Sequence, residues 1–157
     1  MTDIKRRTLL KGTLGASLVG IAAGAGLLSP QALMAAWPKA AFKAKKLDAA
    51  VSGLFKSSSM ASSKAIKIKA PAIAESGAEV GVTISTTLPS VDSMAILIKK
   101  NNSPLAANFA LGAGTNPYIR TRVKIAKTSD VVAVVRSGGK LFTTKQEVKV
   151  TIGGCGG

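Results

Sequence analysis

The only cysteine of the chain, Cys155, lies near the C-terminal end of the sequence and is surrounded by glycines: Gly153, Gly154, Gly156 and Gly157. Glycine has no side chain to pack and loses the most backbone entropy when it is ordered, so such a segment is poorly suited to a hydrophobic core. It suits a nucleophilic thiol on a flexible tether. We therefore expect residues 153–157 to form a C-terminal arm that presents one sulfur atom to a pocket of another protein.

The residues that would normally activate this thiol are missing. The chain has no histidine, so neither a Ser-His-Asp nor a Cys-His arrangement can be assembled within it. One thiol without histidine or a second cysteine does not make the usual nitrogen–sulfur metal site. An unassisted thiol is also mostly protonated near neutral pH. We predict no catalytic residue, no metal and no cofactor, and a covalent carrier that separate enzymes act on.

A second interpretation of Cys155 stays open. An odd cysteine in an oxidising compartment can form an intermolecular disulfide. The chain would then be a structural module whose tail cysteine joins it to a partner, or two tails could form a disulfide-linked dimer.

The other end of the sequence resembles an export signal. Arg6 and Arg7 precede a weakly apolar, glycine-rich stretch that runs to about Leu28, which is typical of a twin-arginine (Tat) signal peptide. A permanent membrane anchor would need about 20 strongly apolar residues. We predict a signal peptide over residues 1–36, cleavage near Ala36, and a periplasmic mature protein without a membrane segment.

The mature chain is strongly basic. Residues 1–36 contain four of the 22 basic and one of the seven acidic side chains, which leaves a net charge of +12 against +15 for the whole sequence. Export removes nucleic acid as a partner, and the few aromatic residues offer no stacking platform. Arg120, Arg122 and Lys124, with Arg136, could instead form one basic face that attracts anions or acidic proteins.

The region between the predicted signal peptide and Lys64 is predicted to be helical. Leu47, Val51, Leu54 and Phe55 recur at helical spacing, which predicts one amphipathic helix over residues 39–57. The serines that follow it indicate a linker. We therefore assign residues 37–63 to an N-terminal helix and linker.

From Lys64 onwards the pattern changes to short alternating strands separated by turn residues. Strands are predicted around residues 66–68, 80–84, 94–98, 106–111, 119–126, 131–135, 141–144 and 148–152, with a hairpin turn at Ser137–Lys140. This number and spacing of strands is typical of a mainly β fold, an immunoglobulin-like antiparallel β-sandwich. We assign it to residues 64–152.

Three stretches resemble the SoxY family, the sulfur-carrier subunits of the Sox thiosulfate-oxidising system. They are Val148 to Gly157 behind a twin-arginine leader, Ala70-Pro71-x-Ile73-Ala74-Glu75-x-Gly77, and Thr121-Arg122-x-Lys124-x-Ala126-x-Thr128-x-Asp130-Val131. The resemblance covers about residues 64–157, and the Gly-Gly-Cys-Gly-Gly end is its most specific part.

The resemblance implies a sandwich that pairs with SoxZ as a heterodimer and is exported with it. It also implies that a haem enzyme, SoxAX, joins thiosulfate oxidatively to Cys155 as a cysteine S-thiosulfonate, and that the hydrolase SoxB then releases sulfate. Other Sox enzymes would process the remaining sulfur, with the glycines at 153, 154, 156 and 157 serving as arm residues.

Overall fold

A computed structural model describes residues 38–152 of the chain, without the side chain of Ile152. Two short helices come first, α1 (Lys39–Lys43) and α2 (Leu47–Phe55). Nine strands follow: β1 (Ala61–Ser62), β2 (Ile66–Lys69), β3 (Ile73–Ser76), β4 (Val80–Thr86), β5 (Val91–Ile98), β6 (Leu105–Ala110), β7 (Tyr118–Val123), β8 (Ser129–Ser137) and β9 (Lys140–Ile152).

The strands form two sheets. The larger sheet has the order β1-β9-β8-β5-β6, with β3 also paired to β9, and the smaller has the order β2-β4-β7. Neighbouring strands are antiparallel except that β1 and β3 run parallel to β9. The prediction of a mainly β, immunoglobulin-like sandwich with helical structure before it is confirmed, with these two parallel pairings as an addition.

The main core lies between the two sheets. Successive side chains of a β-strand point to opposite faces of its sheet. Every second residue of these strands therefore faces inward and contributes to this core. Its fully buried members include Val82 and Ile84 from the smaller sheet and Met94, Ile96 and Val135 from the larger.

The helices cover the outer face of the larger sheet. Ala50 and Val51 of α2 and Ala41 of α1 pack with Leu97 and Val134 in a second buried cluster. All residues of β5 from Ser93 to Ile98 are consequently buried, because both faces of this strand are covered. This burial on both faces explains why residues 94–98 are apolar without alternation.

The prediction of one helix over residues 39–57 is wrong in its continuity. Ala44 has φ −59° and ψ 142°, and Lys46 has φ −117° and ψ 145°, so the backbone is extended between α1 and α2. The break lets α1 fold back against α2. A Cβ atom on Gly53 would lie 3.1 Å from the backbone of Ala41, so the close approach depends on this glycine.

Three further details differ from the sequence prediction. The short strand β1 lies inside the predicted linker, where Ala61 pairs with Phe142. Residues 73–76, for which the sequence predicts no strand, form β3. The two predicted strands at 141–144 and 148–152 are one continuous strand, β9.

The predicted hairpin turn is confirmed. Ser137 pairs with Lys140, and Gly138 and Gly139 have φ of 55° and 75°. Two consecutive positive φ angles are what a two-residue type I′ turn requires.

Candidate functional site: the root of the C-terminal arm

The predicted site residues lie outside the described part of the chain. This holds for Cys155, for the glycines at 153, 154, 156 and 157, and for Arg6 and Arg7 of the predicted export signal. The structure does describe the strand that leads into the arm. That strand is β9, and we call residues 148–152 with their contacts the arm root.

The strand that pairs with β9 changes at the arm root from β8 to β3. The pairing of β9 with β8 ends at Ser129 opposite Val148. Beyond that point β3 takes over, with Ile73 opposite Lys149 and Ser76 opposite Ile152. The Lys149 amide also donates to the carbonyl of Ala72 over 2.9 Å. The backbone is thus fixed by a parallel strand up to the last described residue.

Thr128 binds the other edge of the arm root. Its Oγ1 accepts a 3.0 Å hydrogen bond from the Val150 amide and lies 3.5 Å from the Val150 carbonyl oxygen, to which it donates. The side chain therefore replaces the ladder that β8 no longer supplies, and it satisfies both backbone groups of Val150.

Gly77 allows the loops beneath the arm root to come close together. Its carbonyl accepts a 2.7 Å hydrogen bond from the Ile125 amide. A Cβ atom at this position would lie 2.0 Å from the Ile125 carbonyl oxygen and 3.1 Å from Cγ1 of Val150. Since real Cβ atoms do not approach backbone oxygen that closely, no other residue fits here without a shift of the backbone.

Asn101 holds the loop that contains Ile125. Its Nδ2 donates to the Lys124 carbonyl over 2.8 Å, and its Oδ1 accepts from the Ala126 amide at 3.0 Å. The segment 124–128 is thus fixed by Asn101 at one end and by the contact of Thr128 with Val150 at the other.

Sequence reasoning did not assign these positioning roles. Gly77 and Thr128 enter the sequence prediction only as positions of the family resemblance, and the sequence predicts no role for Asn101. For Gly77 the sequence does contain a local signal, since a glycine shortly before a strand indicates a turn or a close backbone approach. The partners of Thr128 and Asn101 depend on tertiary contacts, which the sequence does not reveal.

The predicted single basic face is wrong for Arg136. Arg120 and Arg122 lie on β7 in the smaller sheet, with Lys124 just beyond it. Arg136 lies on β8 in the larger sheet. Its Nε is 2.6 Å from Oδ1 of Asp92, and its guanidinium carbon lies 5.7 Å from the ring centroid of Phe55. The sequence alternation placed these cations correctly on strands and could not assign the strands to sheets.

Between Pro38 and Ile152 there is no group of three or more side chains that could hold a metal ion. In the same range no helix is long and apolar enough to cross a membrane.

Comparisons with known proteins relate the chain to one family. The family model described as "Sulfur oxidation protein SoxY" matches residues 51–155. The solved structure of the sulfur carrier protein SoxY from Chlorobium limicola f thiosulfatophilum is 43% identical with a TM-score of 0.63, covering 73% of this chain and 100% of that one. A superoxide reductase (neelaredoxin) from Ignicoccus hospitalis is 18% identical with a TM-score of 0.49, covering 54% and 78%. No curated protein sequence matches.

Proposed function

Because the chain belongs to the SoxY family of sulfur oxidation proteins, we propose that it carries thiosulfate-derived sulfur covalently on Cys155. Membership of this family makes the chain a sulfur carrier and not an enzyme. The observation on which the assignment of Cys155 rests is the extent of the family match, whose last residue is the only cysteine of the sequence.

The loading step joins two sulfur atoms and needs an electron acceptor. The thiol of Cys155 loses its proton, and a bond forms between its Sγ and the sulfane sulfur of thiosulfate. The product is a cysteine S-thiosulfonate, and the two electrons released pass to the haem enzyme SoxAX. This chain contributes the sulfur atom, while deprotonation and oxidation take place in the partner's pocket.

The second step is hydrolysis of the adduct. Water attacks the terminal sulfonate sulfur, the S–S bond to the sulfonate breaks, sulfate leaves, and a persulfide remains on Cys155. This step changes no overall oxidation state, so a hydrolase, SoxB, is sufficient. Other Sox enzymes then oxidise or remove the remaining sulfur while it stays on the arm.

The arm root supports this assignment mechanically. A carrier needs a thiol that can move while the domain to which it is attached stays rigid. The pairing of β9 with β3 and the contact of Val150 with Thr128 fix the strand up to the arm. Two residues, Gly153 and Gly154, lie between Ile152 and Cys155, so at full extension the Cα atoms of Ile152 and Cys155 are about 10 Å apart.

We also propose the assembly and the compartment that the carrier role requires. SoxZ, which lacks an export signal of its own, would be the heterodimer partner and would cross the membrane with this chain through the Tat pathway, directed by Arg6 and Arg7. The mature protein would act in the periplasm.

Intact-mass measurement tests the loading step. Wild type and Cys155→Ser are incubated with thiosulfate, SoxAX and an electron acceptor. The carrier role predicts a thiosulfonate-sized adduct on wild type that reduction removes, and no adduct on the variant. If wild type instead gives only a protein-sized disulfide adduct, the chain is a structural module and the proposal is wrong.

A further inference from the structure

The smaller sheet has an outer face without a covering element. Helices α1 and α2 cover the outer face of the larger sheet, whereas no described element packs on the outside of β2, β4 and β7. The exposed side chains of the two outer strands there include four cations, Lys67, Lys69, Arg120 and Arg122. We call these four residues and the strand between them the cationic face.

The cations lie in rows because the strand registers align them. Lys69 is opposite Thr83 of the central strand β4, and Thr83 is opposite Arg120. Two residue pairs further along, and so on the same face, Gly81 is opposite Arg122. The two outer strands thus carry long cationic side chains and the central strand carries small ones.

The difference in side-chain size makes a trough along β4. A cavity of about 420 Å³ lies there, lined by Lys69, Pro71, Gly81, Thr83, Tyr118 and Arg120. A Cβ atom on Gly81 would meet no atom within 4 Å. Tyr118 at the edge is 53% exposed, and tyrosine is enriched where protein surfaces meet.

The charge of this face is almost uncompensated. None of the six carboxylates in residues 38–152 belongs to a strand of the smaller sheet. Glu79, which precedes β4, lies 3.2 Å from Arg122, while Lys67, Lys69 and Arg120 form no ion pair with any carboxylate that the structure describes. A face with one sign of charge attracts a surface of the opposite sign over a distance.

The cationic face runs along β4, and the end of it formed by Gly81 and Arg122 lies next to the arm root. Strand β4 starts at Val80, three residues after Gly77, and β7 ends at Val123, two residues before Ile125. Gly77 and Ile125 bond to each other beneath Val150. A protein bound along the cationic face therefore lies beside the root from which the arm extends.

We propose that the cationic face is the surface on which the enzymes that act on the arm dock, through an acidic patch next to the entrance of their active-site pocket. This inference rests on the proposed carrier function. A carrier must meet several enzymes and leave each of them again, and exposed charges increase the association rate more than they prolong the complex. The trough would receive carboxylate side chains of the enzyme between the two cationic rows.

Charge reversal on two faces tests the proposal. Lys69→Glu with Arg120→Glu is compared with Lys45→Glu and Lys46→Glu, an equal charge change between the helices on the other side of the sandwich. Each protein is added to the periplasmic fraction of a thiosulfate-oxidising strain that lacks its own carrier, and thiosulfate-dependent cytochrome reduction is measured against carrier concentration at low and high salt.

The first variant is expected to need about tenfold more carrier for the half-maximal rate at low salt, with an unchanged maximal rate. The helix-side variant should stay within about twofold of wild type, and high salt should reduce the difference. Gly81→Phe should have the same effect as the first variant without a change of charge, because it fills the trough. Equal behaviour of the two charge variants would overturn the inference.

A second measurement separates this inference from the carrier role. Carbodiimide treatment of the same fraction joins lysine amines to neighbouring carboxylates without a spacer. Salt-sensitive amide links from Lys67 or Lys69, and none from Lys45 or Lys46, are expected whether or not thiosulfate is oxidised. Their absence refutes docking on this face, while failure of wild type to support cytochrome reduction refutes only the carrier function.

Discussion

Thr128 Oγ1 accepts a 3.0 Å hydrogen bond from the backbone amide of Val150. Val150 lies five residues before the only cysteine of the chain. The contact lies where β8 stops pairing with β9, and one hydroxyl group continues the hydrogen bonding that the sheet no longer provides. It therefore fixes the β8 side of β9 at Val150, while β3 pairs with the other edge up to Ile152.

Thr128→Val should loosen the arm root. Valine keeps the shape of threonine but cannot accept the Val150 amide hydrogen, so the loss is about 1 kcal/mol. We expect faster amide exchange at Val150 and Lys149 with little change in the core. Thr128→Ser keeps the hydroxyl and serves as the matched control. Equal exchange at Val150 in wild type and Thr128→Val would contradict this role.

Gly77→Ala should destabilise the domain by about 1–3 kcal/mol. The new Cβ would lie 2.0 Å from the Ile125 carbonyl oxygen, so either the Gly77–Ile125 hydrogen bond or the position of Val150 must change. Denaturant unfolding measures the loss.

Gly81→Ala is the control for this substitution, because its Cβ meets no atom within 4 Å. Its stability should stay within about 0.5 kcal/mol of wild type. A Gly77→Ala protein as stable as Gly81→Ala would show that the close contact does not constrain the loops.

Asn101→Ala should release the loop of residues 124–128. Two hydrogen bonds to the loop backbone are lost, at about 1 kcal/mol each. Thermal unfolding gives the stability, and amide exchange at Ala126 reports the local effect. Its exposed neighbour provides the comparison, since Asn102→Ala removes no hydrogen bond described in the structure. If both variants exchange alike at Ala126, Asn101 does not hold the loop.

Leu97→Ala should cost about 2–5 kcal/mol, as expected for a fully buried leucine. Leu97 is fully buried and packs beneath the helices, so its loss tests whether the helical cover is part of the folded domain. Ile73→Ala, at a position that is 59% exposed, should change the unfolding free energy by about 0.5 kcal/mol or less. A small effect of Leu97→Ala would mean that the helices contribute little.

The alternating strands and the hairpin turn could be predicted from sequence because their signals are local. Ile66 and Ile68 alternate with lysines, and Gly138-Gly139 supplies the positive φ angles that the turn needs. The strand β3 could not be predicted in this way. Its residues Ile73–Ser76 show no alternation between apolar and polar types, and they form a strand because β9 lies beside them.

The site could be predicted only in part for the same reason. Cys155 and its glycines are contiguous in sequence, whereas Lys69 and Arg120 are far apart and come together only through their shared neighbour Thr83. The break between α1 and α2 could not be predicted from the sequence either. Ala44, Lys45 and Lys46 are residue types that favour helix, and the packing of α1 against Gly53 overrides their preference.

Peptide mapping of the carrier from cells that are oxidising thiosulfate tests the central claim most directly. Trypsin cleaves after Lys149, so the fragment of residues 150–157 contains the only cysteine of the chain. The account predicts thiosulfonate and persulfide adducts on this fragment, which disappear on reduction. A fragment that is always bare, or joined only to another peptide by a disulfide, during active thiosulfate oxidation would contradict it.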